Sequence, residues 1–86
     1  MMREISVTTP AYIEIIDFIA AGTTPDAVVH FRPSPEAQRR VAELVEREKA
    51  ARLSSDEKAE LDHFMELEHI MRMAKARARQ ILSSGK

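Results

Sequence analysis

The C-terminal third of the chain constrains the fold most, because residues 54–83 have the pattern of one long helix. Ser54 and Glu57 have the spacing of a capping box, in which each side chain binds the other residue's free amide. About 29 residues at 1.5 Å each make a helix of roughly 43 Å. A compact chain of 86 residues has a radius of gyration near 12 Å and measures about 30 Å across. This helix is therefore expected to project beyond the rest of its domain.

Three earlier helix starts share one construction, a hydroxyl residue directly before a proline. The hydroxyl can accept a hydrogen bond from a free amide of the first turn. Proline suits the first helical position because its missing N–H would have had no partner there. The pairs are Thr9-Pro10, Thr24-Pro25 and Ser34-Pro35.

Together these signals predict four helices. Gly22 is suited to end the first helix in the left-handed conformation. Pro33 keeps the second helix short, because the residue before a proline avoids helical angles. The predicted helices cover about residues 10–21, 25–30, 35–51 and 54–83.

The predicted fold class is all-α, in a single domain of residues 1–86. Residues 10–33 form two short helices, and residues 34–84 form a long antiparallel hairpin of helices three and four. Residues 1–9 form an N-terminal arm, in which residues 4–7 alternate polar and apolar as in a short strand or an ordered extended segment.

Composition and charge predict a soluble cytoplasmic protein. The chain is 44% hydrophobic and 31% charged, with a net charge of −1, which is a globular composition. It has no cysteine, which fits a reducing compartment. Glu14 and Asp17 interrupt the N-terminal apolar run, so we expect no signal peptide. No stretch of 18 uncharged apolar residues suggests a membrane span.

The apolar face of the fourth helix is too wide for one neighbour. At about 100° per residue it spans roughly 200°, twice what one packing seam requires. One neighbour is expected to be helix three, and the second is expected to be another chain. The predicted protein interface consists of Phe64, Leu67, Ile70, Met71, Ala74, Ala78, Ile81 and Leu82.

The charges of the same helix are segregated end to end. Residues 54–69 contain six acids and one base, for a net charge of −5, and residues 70–86 contain five bases and no acid. Compensation of the helix dipole explains part of this pattern. Antiparallel pairing of the helix with its own copy would also place acids on bases. The sequence therefore predicts a symmetric homodimer.

Residue patterns that could support catalysis or metal binding are weak. Glu66 and His69 have the E-x-x-H spacing of di-iron bundles, but they lie on the polar face of the helix and are expected to be solvated. Two glycines provide no phosphate-binding loop. The serines are explained by helix caps and by the end of the last helix. We therefore expect no enzymatic activity, catalytic residues, metal or cofactor.

A nucleic-acid interaction is the alternative function. A DNA-binding regulator would use the C-terminal basic run, and a ribbon-helix-helix arrangement would use residues 4–7 as its strand. Helix one suits that arrangement, whereas helix two is too short for it. The predicted nucleic-acid contacts are Arg72, Lys75, Arg77 and Arg79.

Two stretches carry a family resemblance: IDFIAAGTTPDAVVHFRPSPEAQRRVAELVEREK and LSSDEKAELDHFMELEHIMRMAKARA. They resemble a group of small, mostly uncharacterised bacterial proteins that include antitoxin-like members of toxin–antitoxin units. The resemblance implies a protein that binds and restrains a partner toxin or nuclease. Members of the group carry a glycine before the Leu-Ser of the fourth helix start, where this chain has Ala51 and Arg52. A tighter or more helical turn is expected there.

Overall fold

A computed structural model describes residues 10–84, and every regular element within that range is an α-helix. The predicted all-α class is confirmed. The predicted arm of residues 1–9, with the cap Thr9, lies outside the described residues. The elements are α1 (Ile13–Ala20), α2 (Pro25–His30), α3 (Pro35–Lys49) and α4 (Ser55–Ser84).

Three helices begin with the side-chain caps that the sequence predicts. The hydroxyls of Thr24 and Ser34 each accept a hydrogen bond from the amide three residues later, at 3.2 and 3.1 Å. At the start of α4, Ser54 Oγ accepts from Glu57 N at 3.1 Å, and Glu57 Oε1 accepts from Ser54 N at 3.0 Å. These bonds satisfy amides that have no partner within their own helix.

The first helix begins at Ile13, so the predicted start at Pro10 is wrong. Residues 10–12 form a turn, in which Ile13 N donates to the Pro10 carbonyl at 3.1 Å. The amide of Ala11 donates instead to Glu60 Oε2 of α4 at 2.9 Å. A distant carboxylate therefore orients the chain where the sequence suggested only a local cap.

Helix α3 ends at Lys49, two residues before its predicted end, because Ala51 adopts the left-handed conformation with φ of 58°. Arg52 N donates to the Arg47 carbonyl at 2.8 Å, and Ala51 N donates to the Glu48 carbonyl at 3.0 Å. This is the Schellman arrangement, which usually carries glycine at the left-handed position. The Cβ of an L-residue is crowded in that conformation.

Replacing Ala51 with glycine is expected to stabilise the fold by about 0.5–1 kcal/mol, since the crowding disappears. The midpoint of thermal unfolding, followed by circular dichroism, should rise by about 2–8 °C in a chain of this size. Gly22→Ala is the matched control. Gly22 has φ of +83° and open space around it, so alanine there adds backbone strain alone and should lower the midpoint. A lower midpoint for Ala51→Gly would contradict the assigned turn.

Helix α4 is the longest element of an elongated molecule. Its 30 residues correspond to about 45 Å, and the molecule extends 49 × 36 × 19 Å. The radius of gyration is 15.6 Å, against about 12 Å for a compact chain of this length. The predicted over-length helix is therefore present, and the shorter helices are arranged along it.

The predicted hairpin of α3 and α4 covers only the first half of α4. Arg40 pairs with Glu60, and Arg47 pairs with Glu57, so α3 and α4 run antiparallel there. Further along, α2 packs against α4 more extensively than α3 does. Lys75 Nζ of α4 donates to the carbonyl at the end of α2 at 2.7 Å. The chain's own neighbour along the second half of α4 is therefore α2, whereas the sequence predicts helix three, which is too short to extend along the whole of α4.

The core gathers side chains from α1, α3, α4 and the turn before α1. Ile15 is its most buried member, and Tyr12, at the end of that turn, and Phe18 of α1 pack against the cluster. The Phe18 ring packs against the Phe31 ring, with centroids 4.6 Å apart. The buried residues of this cluster are Ala11, Ile15, Ala37, Phe64 and Met71.

Candidate protein interface

The centre of the predicted interface is occupied by the chain's own helices. Phe64, Met71 and Ala78 are all buried. Phe64 and Met71 belong to the core cluster, in which they meet residues of α1 and α3. These three side chains therefore hold the monomer together and are not displayed to a partner.

Four of the other predicted interface residues, Leu67, Ile70, Ala74 and Ile81, lie on one flank of α4, and Leu82 continues the central line of Phe64, Met71 and Ala78. Leu67 and Ala74 are half-buried, whereas Ile70, Ile81 and Leu82 are exposed. The apolar surface that is open to a partner is thus narrower than predicted. Their contact with another protein stays a prediction.

Four large exposed apolar side chains lie outside the predicted interface: Ile16, Ile19, Met65 and Met73. Met73 is 55% exposed and lies one turn beyond Ile70, which is 48% exposed. Ile16 and Ile19 are exposed on α1. The sequence does contain a signal for these exposed residues. Both α1 and α4 carry apolar residues over a wider arc of the helix surface than one core face can cover.

The exposed residues of α1 lie toward the same flank of α4. The Tyr12 ring contacts the His63 ring edge to face, with centroids 5.4 Å apart. Ile16 and Ile19 follow Tyr12 by one and two helical turns, and so lie on the same side of α1. Exposed apolar side chains are therefore present on both α1 and α4, and the two helices adjoin at His63.

A half-buried ion pair joins α3, α4 and the turn before α1. Arg40 donates to both oxygens of Glu60, at 3.1 and 2.9 Å, and Glu60 also accepts from Ala11 N at 2.9 Å. Burial would raise the pKa of Glu60, but the bonds from Arg40 and Ala11 outweigh it, and the pKa lies below its ordinary value. The bond to Glu60 raises the pKa of Arg40 despite partial burial. These charges have a structural role.

A second acid of α4 is also engaged within the chain. Glu57 pairs with Arg47 and accepts a hydrogen bond from Ser54 N. The bond from Ser54 is the main cause that lowers the pKa of Glu57, and the charge of Arg47 adds to it against partial desolvation. By contrast, Asp62 and Glu66 lie on the exposed surface. Part of the acidic half of α4 therefore remains available to a partner.

The predicted nucleic-acid contacts are not all free cations. Lys75 is half-buried and bonds the Phe31 carbonyl, which places its charge at the end of α2. Arg72 lies 3.4 Å from Glu68, and Arg77 donates to Gln80 at 3.0 Å. The role of Lys75 was missed because its partner is 44 residues away. Contact with DNA stays a prediction. Of the four residues predicted for it, Lys75 is the least suited, because its ammonium group already bonds the Phe31 carbonyl.

Charged side chains of the described range, Glu68, Arg72 and Lys75, border a small cavity. This cavity of about 100 Å³ opens between α1, the α2–α3 connection and α4. Its lining within residues 10–84 contains no serine, cysteine or histidine. In the same range, no cluster of three histidine or carboxylate side chains is placed to hold a metal ion. No helix there has both the length and the apolarity needed to cross a bilayer.

Comparison with protein-family models found no matching family, and searches of curated proteins and of solved structures found no match to this chain.

Proposed function

We propose that this chain is a protein–protein interaction module and that it works as a homodimer. The observation that carries the proposal is the exposure of Ile70 and Met73, two large apolar side chains one turn apart on α4. Single exposed apolar residues are common on protein surfaces. A group of them that continues onto a second helix, here α1, is typical of a surface that binds protein.

The elongated shape supports the same proposal. A chain of 86 residues buries only about 60% of its unfolded surface even when compact. Here the core cluster takes only Phe64 and Met71 from the buried residues of α4, whose ends extend well beyond them. Association along α4 would bury additional apolar surface and stabilise the parts of the helix that the core does not cover.

A partner toxin or nuclease is the further ligand that the resemblance to antitoxin-like proteins suggests. A homodimer formed through Ile70 and Met73 would leave Ile16 and Ile19 of α1 for such a partner. Glutamate at Ile19 would then release the partner without separating the dimer.

Replacing Ile70 with glutamate is expected to weaken self-association by at least about tenfold, because burial of an isoleucine side chain is worth roughly 1.5–3 kcal/mol. Sedimentation equilibrium of the full chain over a micromolar concentration series measures the effect. Met65→Glu is the matched control, since Met65 is also exposed but borders a groove on the α3 side of α4.

The control should associate as the wild type does, and both variants should retain the wild-type thermal midpoint. Capture with the tagged full chain in its native host tests the second partner. A chain that stays monomeric and captures nothing that Ile19→Glu releases would contradict the proposed function.

A further inference from the structure

A second stripe of side chains runs along α4 outside the buried core, and its first member, His63, also contacts the Tyr12 ring. Its members are separated alternately by three and four residues, which is the spacing of a seam between two paired helices. At about 100° per residue, its centre lies roughly 130° around the helix from the buried line of Phe64, Met71 and Ala78. All six members are exposed: His63, Glu66, Ile70, Met73, Arg77 and Gln80.

This stripe is complementary to the same stripe of a second copy that runs in the opposite direction. When a second α4 runs in the opposite direction, Ile70 meets Met73 of the other copy. Glu66 then meets Arg77, and the polar His63 meets the polar Gln80. Apolar, charged and polar positions all find suitable partners in one register, and each contact occurs twice. An isologous dimer requires this kind of self-matching surface.

We infer that the partner of this face is a second copy of the chain, paired antiparallel through α4 about a two-fold axis between Met71 and Arg72. The inference rests on the proposed homodimer and assigns its orientation and register. Parallel pairing would place Glu66 against Glu66 and Arg77 against Arg77. Like charges in contact oppose association, so the charges select the antiparallel arrangement.

The surroundings of the two charged residues leave them able to form these contacts. Glu66 lies 4.0 Å from His63 Nδ1, and Arg77 donates to Gln80 at 3.0 Å, in both cases within one turn of the same helix. Arg77 also borders a shallow hollow against α2 and remains exposed. Neither side chain takes part in the core, so substitutions there should leave the monomer folded.

The seam also accounts for the length of α4. Residues 63–80 span about 26 Å, and the same spacing continues to Ala59 and Ser84, which face each other in this register. Both are small or polar and permit close approach of the helices. A single pair of helices buries less surface than a standard stable interface, so association in the micromolar range is expected.

Charge reversal tests the register directly. Glu66→Arg and Arg77→Glu should each weaken self-association by about tenfold at low salt, because each variant replaces two attractive contacts with two repulsive ones. The double variant should associate as the wild type does, and an equimolar mixture of the single variants should form a heterodimer. Sedimentation equilibrium measures all four samples. A double variant as weak as the single ones would overturn the register.

Cysteine cross-linking tests the orientation, since the chain has no cysteine of its own. In the antiparallel pair the two copies of residue 66 lie 11 positions apart, about 16 Å, which is too far for a disulfide. Mixed Glu66→Cys and Arg77→Cys chains should therefore form a heterodisulfide, and neither variant should form a homodisulfide alone. Homodisulfides in each variant would indicate parallel pairing and overturn the inference.

The outcomes separate this inference from the proposed function. If a dimer forms but neither the charge reversals nor the cysteine variants give the expected results, the antiparallel seam is overturned and the proposed interaction module is retained. A monomeric wild type that still captures a protein through Ile19 overturns the seam together with the proposed homodimer, and leaves only the binding of a partner protein standing. A monomer that captures nothing overturns both.

Discussion

Replacing Ile15 with alanine is expected to lower the free energy of unfolding by about 3 kcal/mol, within the range for large-to-small substitutions in protein cores. Ile15 is 1% exposed and belongs to the cluster that contains Phe64 and Met71. Removing three carbon atoms leaves a cavity there that helices already packed on α4 can only partly close. Small domains are typically stable by about 5–10 kcal/mol, so the loss is a large share of the total.

The neighbouring residue provides the control for this prediction. Ile16 is 40% exposed, so Ile16→Ala removes the same atoms from a site that water already reaches. Its expected effect is below about 1 kcal/mol. Chemical denaturation of the two variants under the same conditions measures the difference. Equal losses would mean that α1 does not present Ile15 to the core.

Replacing Glu60 with glutamine is expected to destabilise the fold by about 2 kcal/mol. Loss of one partner from a fully buried ion pair costs about 3–5 kcal/mol, and the effect is smaller here because Glu60 and Arg40 remain 11% and 19% exposed. Glutamine can accept fewer hydrogen bonds and leaves Arg40 with only the more exposed carboxylate of Glu43 beside it. Glu43→Gln is the control, because Glu43 is 3.4 Å from the same arginine but well exposed. Its effect should stay below about 0.5 kcal/mol.

The same variant should alter the dependence of stability on pH. The pKa of Glu60 is lowered in the folded chain, from about 4.3 for an unperturbed glutamate. The folded state therefore binds this proton less readily than the unfolded state. The stabilisation is complete above the unfolded pKa and is lost as the pH falls through the lower, folded one. Thermal midpoints measured from neutral to acidic pH should converge for wild type and Glu60→Gln. Parallel curves would contradict this role.

The helix starts at Thr24, Ser34 and Ser54 were predictable because a cap is a local device. Each hydroxyl binds an amide three residues away, so spacing along the chain is sufficient to find it. The start of α1 was not predictable in the same way. Its position depends on Glu60, which is 49 residues from the amide that it binds.

The sequence predicted an apolar surface on α4, but it did not predict which residues of that surface remain exposed. The sequence shows that α4 carries more apolar surface than one neighbour can cover. It does not show which part of that arc the chain itself will cover, because several packings of the three shorter helices against α4 would bury similar areas. Lys75 contacts the end of α2, and Phe64 and Met71 are buried. The central line of the apolar arc therefore faces the rest of the chain. Ile70 and Met73 are left on the outside.

Sequence alone determined the all-α class, the three capped starts and the over-length α4, because these depend on interactions between residues a few positions apart. Only the tertiary structure decided that α2 packs against the second half of α4, that Ile15 of α1 joins Phe64 and Met71 in one core, and which flank remains exposed. Those choices depend on contacts between residues more than 40 positions apart. A local pattern specifies which side chains must be buried, and the path of the whole chain specifies which other residues they pack against.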